Sequence, residues 1–213
     1  MIRPAVPDPP VLEFPLWRGF HGIYGWDVGA NCGQSISAMS AAFVRFTCFE
    51  PCQESFEYLV HRRPWLDAKQ LALSDHNGEL ELAFPAAEQK ETGQLVTPGL
   101  AGMEWEPPDW DAVEKVTVPC RTADSLVAEL GDIPDFMKVD TEGHEVAVLR
   151  GARSLLAAGC TDFLVEFHSP ANHQECEHML CKSGYRTEVV RHPYYDLESP
   201  MWYQHGWLRA FRP

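Results

Sequence analysis

Residues 27–33 read Asp27-Val-Gly-Ala-Asn-Cys-Gly33, and Glu50 closes the apolar run that follows. The segment before this turn, Gly22 to Val28, is short and apolar enough for a buried strand. The segment after it, Gln34 to Ala42, is rich in Ser and Ala and suits a helix packed closely on a sheet. A Gly-rich turn between strand and helix lets a ligand approach backbone N–H groups without meeting a Cβ. An acid at the tip of the next strand can then accept hydrogen bonds from both hydroxyls of a ribose. Together these features predict a nucleoside-cofactor site on a doubly wound sheet.

A dinucleotide site needs Gly-x-Gly-x-x-Gly, whose second glycine lets pyrophosphate rest on the backbone. Here Asn31 stands in that place, between Gly29 and Gly33. Asp27, immediately before the turn, suits an amino-acid-bearing cofactor, because its carboxylate can receive an ammonium or an ordered water. S-adenosyl-L-methionine carries such an ammonium, a ribose for Glu50 and no pyrophosphate. A methyltransferase is therefore the expected class, with a dehydrogenase and a plain tight turn as the competing readings.

The bulk composition narrows the partners. A chain of 213 residues predicts one α/β domain, and a hydrophobic fraction of 45% supplies a core rather than disorder. Lys and Arg number 17 against 31 Asp and Glu, a net charge of −14. Such a surface repels phosphate backbones, so a small-molecule partner is expected and nucleic acid is not. The seven cysteines are scattered, and no basic stretch followed by an apolar one opens the chain. No apolar run approaches the ~18 residues of a membrane span. A reducing, cytoplasmic setting is the expectation.

Working outward from the turn, residues 1–21 read as a Pro-rich arm and residues 22–213 as a single domain. Strands are expected at Gly22–Val28, Val44–Phe49, Asp67–Ser74, Glu79–Phe84, Lys115–Val118, Phe136–Asp140, Asp162–His168, Tyr185–Val190 and Trp207–Phe211. Helices are expected over Gly33–Ala42, Gln53–His61, Thr122–Leu130, Glu145–Ala158 and Asn172–Ser183. This alternation predicts a mostly parallel sheet with helices on both faces. Residues 85–113 hold several Pro and Gly, yet also Met103, Trp105 and Trp110, and read as either a flap over the active site or a plain insertion.

In such sheets the ligand sits beyond the carboxyl ends of the strands. Asp27, Glu50, Asp140 and Glu166 all fall there, with Asp75 following the third strand. Lys138-Val-Asp-Thr-Glu-Gly-His-Glu145 puts Asp140 at a strand tip and Glu142 in the turn, and Gly143 opens a helix whose N-terminus carries partial positive charge. With the Glu166 strand alongside, Asp140, Glu142, Glu166 and His168 would surround one small volume.

The chain resembles the FkbM-type S-adenosylmethionine-dependent methyltransferases. The matching pieces are Asp27-Val-Gly-Ala-Asn31-x-Gly33-x-Ser35, Phe49-Glu50-Pro51, Leu71-Ala-Leu-Ser74-Asp75 with Gly78, Lys138-Val-Asp140-x-Glu142-Gly143-His144-Glu145 with Leu149-Arg-Gly151-Ala152, and Val165-Glu166-Phe-His168. They run in the family's order over about residues 22–170. The resemblance implies a class I methyltransferase (Rossmann-like) fold and O-methylation of a hydroxyl on a natural product, sugar or glycan. It also implies Gly29 and Gly33 beside the cofactor, Glu50 on its ribose and Ser74-Asp75 near its adenine.

An aliphatic hydroxyl must lose its proton, so a base near the methyl helps. His144 and His168 are the expected candidates, because imidazole titrates near neutrality. Each can instead simply orient a carboxylate. Asp140, Glu142, Glu166 and His168 could alternatively hold a divalent cation such as Mg²⁺, a possibility that is not favoured over an acid cluster ordering cofactor and water. The run His173-x-x-Cys176-x-His178-x-x-Cys181 has zinc-ligand types, but on a helix these positions cannot all face one point. Cys48 and Cys52 flank the ribose acid and suit strand packing better than a redox pair. Rival functions are a catalytically silent cofactor-binding scaffold and methylation of an amine or protein side chain.

Overall fold

Gly22–Val28 (β1) ends in five consecutive buried residues, the pattern of a strand covered on both faces. The computed structural model describes residues 14–85, 99–100, 113–191 and 206–212. A short helix α1 (Phe14–Trp17) precedes β1, and α2 (Ile36–Ala42), β2 (Phe43–Phe49), α3 (Gln53–Arg62) and β3 (Asp67–Lys69) follow it. Then come β4 (Ala72–Leu73), β5 (Gly78–Pro85), β6 (Gly99–Leu100), β7 (Val113–Arg121), α4 (Ala123–Leu130), β8 (Phe136–Val139), α5 (Glu145–Arg150) and α6 (Arg153–Ala158). The chain closes with β9 (Asp162–Phe167), α7 (Pro170–Lys182), β10 (Arg186–Arg191) and β11 (Gly206–Phe211).

The main sheet has the order β10-β11-β9-β8-β1-β2-β3. Strands β3, β2, β1, β8 and β9 run parallel, and β11 lies antiparallel between β9 and β10. The strand order reverses between β1 and β8, so the crevice at the carboxyl ends of those two strands is the ligand position for a doubly wound sheet.

Each face of the sheet has its own core. Trp26, Val28, Met137, Val139 and Val165 pack on Val148, Leu149, Leu155 and Leu180 on one side. Leu16, Trp17 and Phe20 pack with Met39, Phe43 and Phe136 on the other. Phe136 is the hub of that second core, with ring centroids 4.7 Å from Phe20, 4.9 Å from Phe43 and 5.4 Å from Trp17. The described end of the N-terminal arm is thus part of the core. Local signals end the helices: Thr122 caps α4 through Ser125 N–H and Ser169 caps α7 through Asn172 N–H, while Gly131 and Gly159 close α4 and α6 at positive φ.

Two expectations are corrected. The run 67–74 is not one strand, because Leu71 N–H bonds back to Lys69 carbonyl and turns the chain out of the main sheet. Its second half, β4, joins a separate sheet of order β4-β7-β5-β6, in which β5 pairs antiparallel with β7 over the whole length of β5. The helix expected over 145–158 is two helices. It breaks at Gly151, where a Cβ would stand 2.0 Å from the Ser74 carbonyl oxygen. The new N-terminus at Arg153 is capped from outside, by Asp124 accepting Ser154 and Leu155 N–H groups. The flap expected at 85–113 lies outside the described residues apart from its two ends and Gly99–Leu100, as do residues 1–13 of the arm. Among the described residues no helix is long and apolar enough to cross a membrane.

Candidate active site

At the switch point the tips of β1 and β8 touch. Gly29 has φ +76°, and a Cβ there would stand 1.8 Å from the Asp140 carbonyl oxygen. Gly29 and Ala30 both donate their N–H groups to the Phe49 carbonyl, at 3.0 and 3.1 Å. Gly33 is similarly crowded, with Leu59 and Ile36 side chains inside 3.0 Å of an added Cβ. Both glycines therefore serve the close packing of this chain on itself, beyond leaving room for a ligand.

Asn31 takes φ +48° between them and donates its N–H to Glu50 Oε2 at 2.7 Å. Cys52 N–H binds Glu50 Oε1 at 2.8 Å. The carboxylate is thereby aimed from the tip of β2 with one lone pair on each oxygen still available. Burial raises the Glu50 carboxyl to about 7, against the pull of these two N–H donors.

Beside Glu50 lies a cavity of about 850 Å³, part of it open to solvent. Its acids are Glu50, Asp140, Glu142 and Glu166, and its apolar wall includes Phe49, Leu71, Leu73, Leu80 and Leu82. Gly29, Asn31 and His144 also line it, and among the described lining residues there is no Lys or Arg.

Asp27 is not on that lining. It is fully buried, and Lys138 Nζ stands 3.0 Å from its Oδ1. The ammonium expected from a ligand is supplied by the protein. The other oxygen of Asp27 is buried with no partner among the described residues. Lys138 also reaches Asp140 Oδ2 at 3.2 Å and the Gly29 carbonyl at 3.3 Å, so one buried cation ties both strand tips together. Burial opposes its charge, but Asp140 and Asp27 hold its pKa above the usual lysine range. A lysine inside the apolar run Phe136–Val139 must find an anion, and that signal for Lys138 was present in the sequence.

A second buried acid organises the next turn. Glu145 is fully buried, and its Oε1 accepts Thr141 N–H and Gly143 N–H, both at 2.9 Å. His168 Nδ1 lies 3.1 Å from that oxygen, and Nε2 lies 3.4 Å from Glu142 and 3.9 Å from Asp140. Burial alone would lower the His168 pKa, but the bond to Glu145 and the surrounding carboxylates raise it to about 10. These neighbours favour the protonated ring of His168. Burial raises the Glu142 carboxyl to about 7, on a residue with φ +53°. Glu166, raised well above the usual range by burial and by Asp140, closes the group. Asp140, Glu166 and His168 offer ligand atoms within 4.8 Å of one another.

His144, the other candidate base, stands apart from that group. Its Nε2 lies 2.9 Å from Ser74 Oγ, and burial keeps its pKa below the usual histidine value. Ser74 is fully buried behind the wall, and neither it nor Asp75 lines the cavity. The His173 to Cys181 run lies on α7, where Cys176 is buried and Cys181 exposed, so the two thiols do not share a face.

The family model described as methyltransferase FkbM domain matches residues 27–187. Hexuronic acid methyltransferase AglP of Haloferax volcanii is 26% identical over 172 residues, covering 78% of this chain. The chain spans 64% of the length of that curated relative. The crystal structure of methyltransferase FkbM from Methylobacillus flagellatus KT aligns with a TM-score of 0.56 at 16% identity, over 91% of this chain and 46% of that one. Precorrin-6y C5,15-methyltransferase from Geobacter metallireducens GS-15 aligns with a TM-score of 0.50 at 11% identity, over 95% and 87% of the two chains. The shared architecture is the class I methyltransferase fold.

Proposed function

The chain belongs to the FkbM methyltransferase domain family, and from that premise we propose that it moves a methyl group from S-adenosylmethionine to a hydroxyl of a small molecule, sugar or glycan. One observation carries the choice of cofactor. The cavity is lined by four acidic side chains and no described Lys or Arg, and one of those acids, Glu50, is aimed by two backbone N–H groups. Such a lining favours a ligand with cationic groups and a ribose, and disfavours the phosphates of a dinucleotide. Glu50 would hold the ribose hydroxyls, the Gly29–Asn31 turn the adjoining part, and Phe49 with the leucines the base. Bound there, S-adenosylmethionine supplies an electrophilic methyl that already carries its leaving group.

The protein's own task is then alignment, exclusion of water and removal of one proton. His144 lines the cavity in the neutral form and suits that proton. Glu142 and Glu166 flank the same space and can accept hydrogen bonds from further hydroxyls, in keeping with a sugar. The hexuronic acid named for the Haloferax relative supports a sugar acceptor. Lys138 and His168 already bring positive charge to Asp140, which leaves a divalent cation little to neutralise. The reading is tested by thermal shift and calorimetry with S-adenosylmethionine and with NAD, followed by transfer of labelled methyl to a panel of glycosides. Stabilisation by NAD alone would overturn it.

A further inference from the structure

The wall behind His144 carries an unbroken line of polar contacts to the surface. His144 Nε2 meets Ser74 Oγ at 2.9 Å, Ser74 Oγ donates to Asp75 Oδ1 at 3.3 Å, and His76 Nδ1 meets the same oxygen at 2.8 Å. Ser74 is fully buried, whereas the Asp75 and His76 side chains are about half exposed, at 46% and 50%. The line therefore runs from the cavity to solvent. Ser74 is fixed from both sides of its peptide: its N–H is held by the Arg121 carbonyl, and its own carbonyl packs on Gly151, where no side chain fits.

The protons in this line are set by counting donors. His76 faces the Asp75 carboxylate with Nδ1 at 2.8 Å, and its Nε2 has the Glu79 carbonyl at 3.4 Å and Cys120 Sγ at 3.6 Å. Nδ1 of His76 therefore carries hydrogen towards Asp75, a carboxyl that this bond holds below its ordinary pKa and keeps as an ionised acceptor. Ser74 has one hydroxyl hydrogen, and it goes to Asp75. With that hydrogen on Asp75, the Ser74 oxygen is left to accept from His144, the arrangement in which Nε2 carries hydrogen and, in the neutral ring, Nδ1 does not.

We propose that Asp75, acting through Ser74, fixes His144 in the tautomer whose bare Nδ1 takes the proton of the substrate hydroxyl. The proposal rests on the methyl-transfer reading and deepens it by assigning Ser74 and Asp75 as positioning residues. In the step itself the substrate O–H bond breaks as the O–CH₃ bond forms. The methyl–sulfur bond breaks with its electron pair left on sulfur, and the proton goes to His144 Nδ1. The imidazolium so formed keeps its Nε2–H on Ser74, and Asp75 supplies a negative charge beyond the hydroxyl. The arrangement matches the orienting acid of a Ser-His-Asp triad with a hydroxyl interposed. The charged groups that face His144 are Glu145 on its own helix and Asp75 and His76 from the segment after β4.

Long-range ¹H–¹⁵N spectra of the full chain labelled on histidine nitrogen test this without an acceptor, with His144→Gln assigning the resonance. The wild type should show the Nε2–H form of His144. Asp75→Ala frees the Ser74 hydroxyl to turn towards His144, and Ser74→Ala removes the acceptor. Each should mix or invert the tautomer and lower the His144 midpoint by about half a unit to one unit. An Nδ1–H form in the wild type, or no change in either variant, overturns the proposal. Asp75 is half exposed, so its variant keeps the test alive if Ser74→Ala fails to fold. Calorimetry with S-adenosylmethionine on the same samples separates the two failures. Binding to the wild type with an insensitive tautomer sinks the relay alone, and absence of binding to the wild type sinks the methyl-transfer reading.

Discussion

His168 Nδ1 stands 3.1 Å from Glu145 Oε1, an oxygen that also accepts the N–H groups of Thr141 and Gly143. One imidazole thus joins the end of β9 to the turn that carries Glu142. Removing it leaves Glu145 buried with its charge unmatched, so His168→Gln should destabilise the fold by about 3 kcal/mol. The pH dependence has a definite sign. The folded pKa is raised to about 10, from roughly 6.5 in the unfolded chain. The stabilisation is therefore complete below about 6.5 and is lost as pH rises through about 10. Urea unfolding of both proteins from pH 6 to 10 should show the gap closing, and a constant gap would count against the pair.

Glu50→Ala should weaken S-adenosylmethionine binding by about 1.5–3 kcal/mol, the range for hydrogen bonds to a charged group. Calorimetry reads this directly, and equal affinities would remove Glu50 from the site.

The same residue predicts a proton effect. The Glu50 carboxyl is raised to about 7, and a cationic ligand with ribose hydroxyls favours its ionised form. Affinity should therefore rise through pH 7, with net proton release near that pH. Titrations in buffers of different ionisation enthalpy measure it, and proton uptake would contradict the assignment.

Two glycines with similar φ separate conformational strain from collision. Gly131, at φ +68°, has open space around an added Cβ, and its Ala variant should cost about 1–2 kcal/mol. Gly29, at φ +76°, would drive a Cβ into the Asp140 carbonyl, and its Ala variant should cost about 4 kcal/mol and abolish ligand binding. Comparable losses for the two would mean that the tips of β1 and β8 yield easily.

Once an acceptor is in hand, His144→Gln should lower the rate by about 10²–10⁴ and leave cofactor affinity nearly unchanged. EDTA should not affect the wild type. Activity lost in EDTA and regained with Mg²⁺ would assign the proton's removal to a cation held by Asp140, Glu166 and His168.

The turn and strand ends on which the proposed cofactor site is built were legible because their features are local. A turn with Gly29 and Gly33, an acid at the end of the next strand and helix caps such as Thr122 each declare themselves within a few residues. What was not legible depends on partners far along the chain. Asp27 could be read as a ligand contact because Lys138 is its neighbour only across two strands. The break at Gly151 follows from the Ser74 carbonyl, and the departure of 72–73 from the main sheet from pairing with β7. His144 and His168 were equivalent as letters, and only their surroundings, one a buried hydroxyl and the other three carboxylates, separate them.

The Lys138–Asp27 pair joins positions 111 residues apart, and the residues that follow each partner, Val28 to Asn31 and Asp140 to His144, both contribute to the cavity lining. β8 must therefore dock beside β1 before any ligand site exists, and contacts of that span form slowly because a long loop has to close first. A ligand held there would act after the rate-limiting steps of folding. It should prolong the life of the native state by slowing unfolding and leave the refolding rate almost untouched.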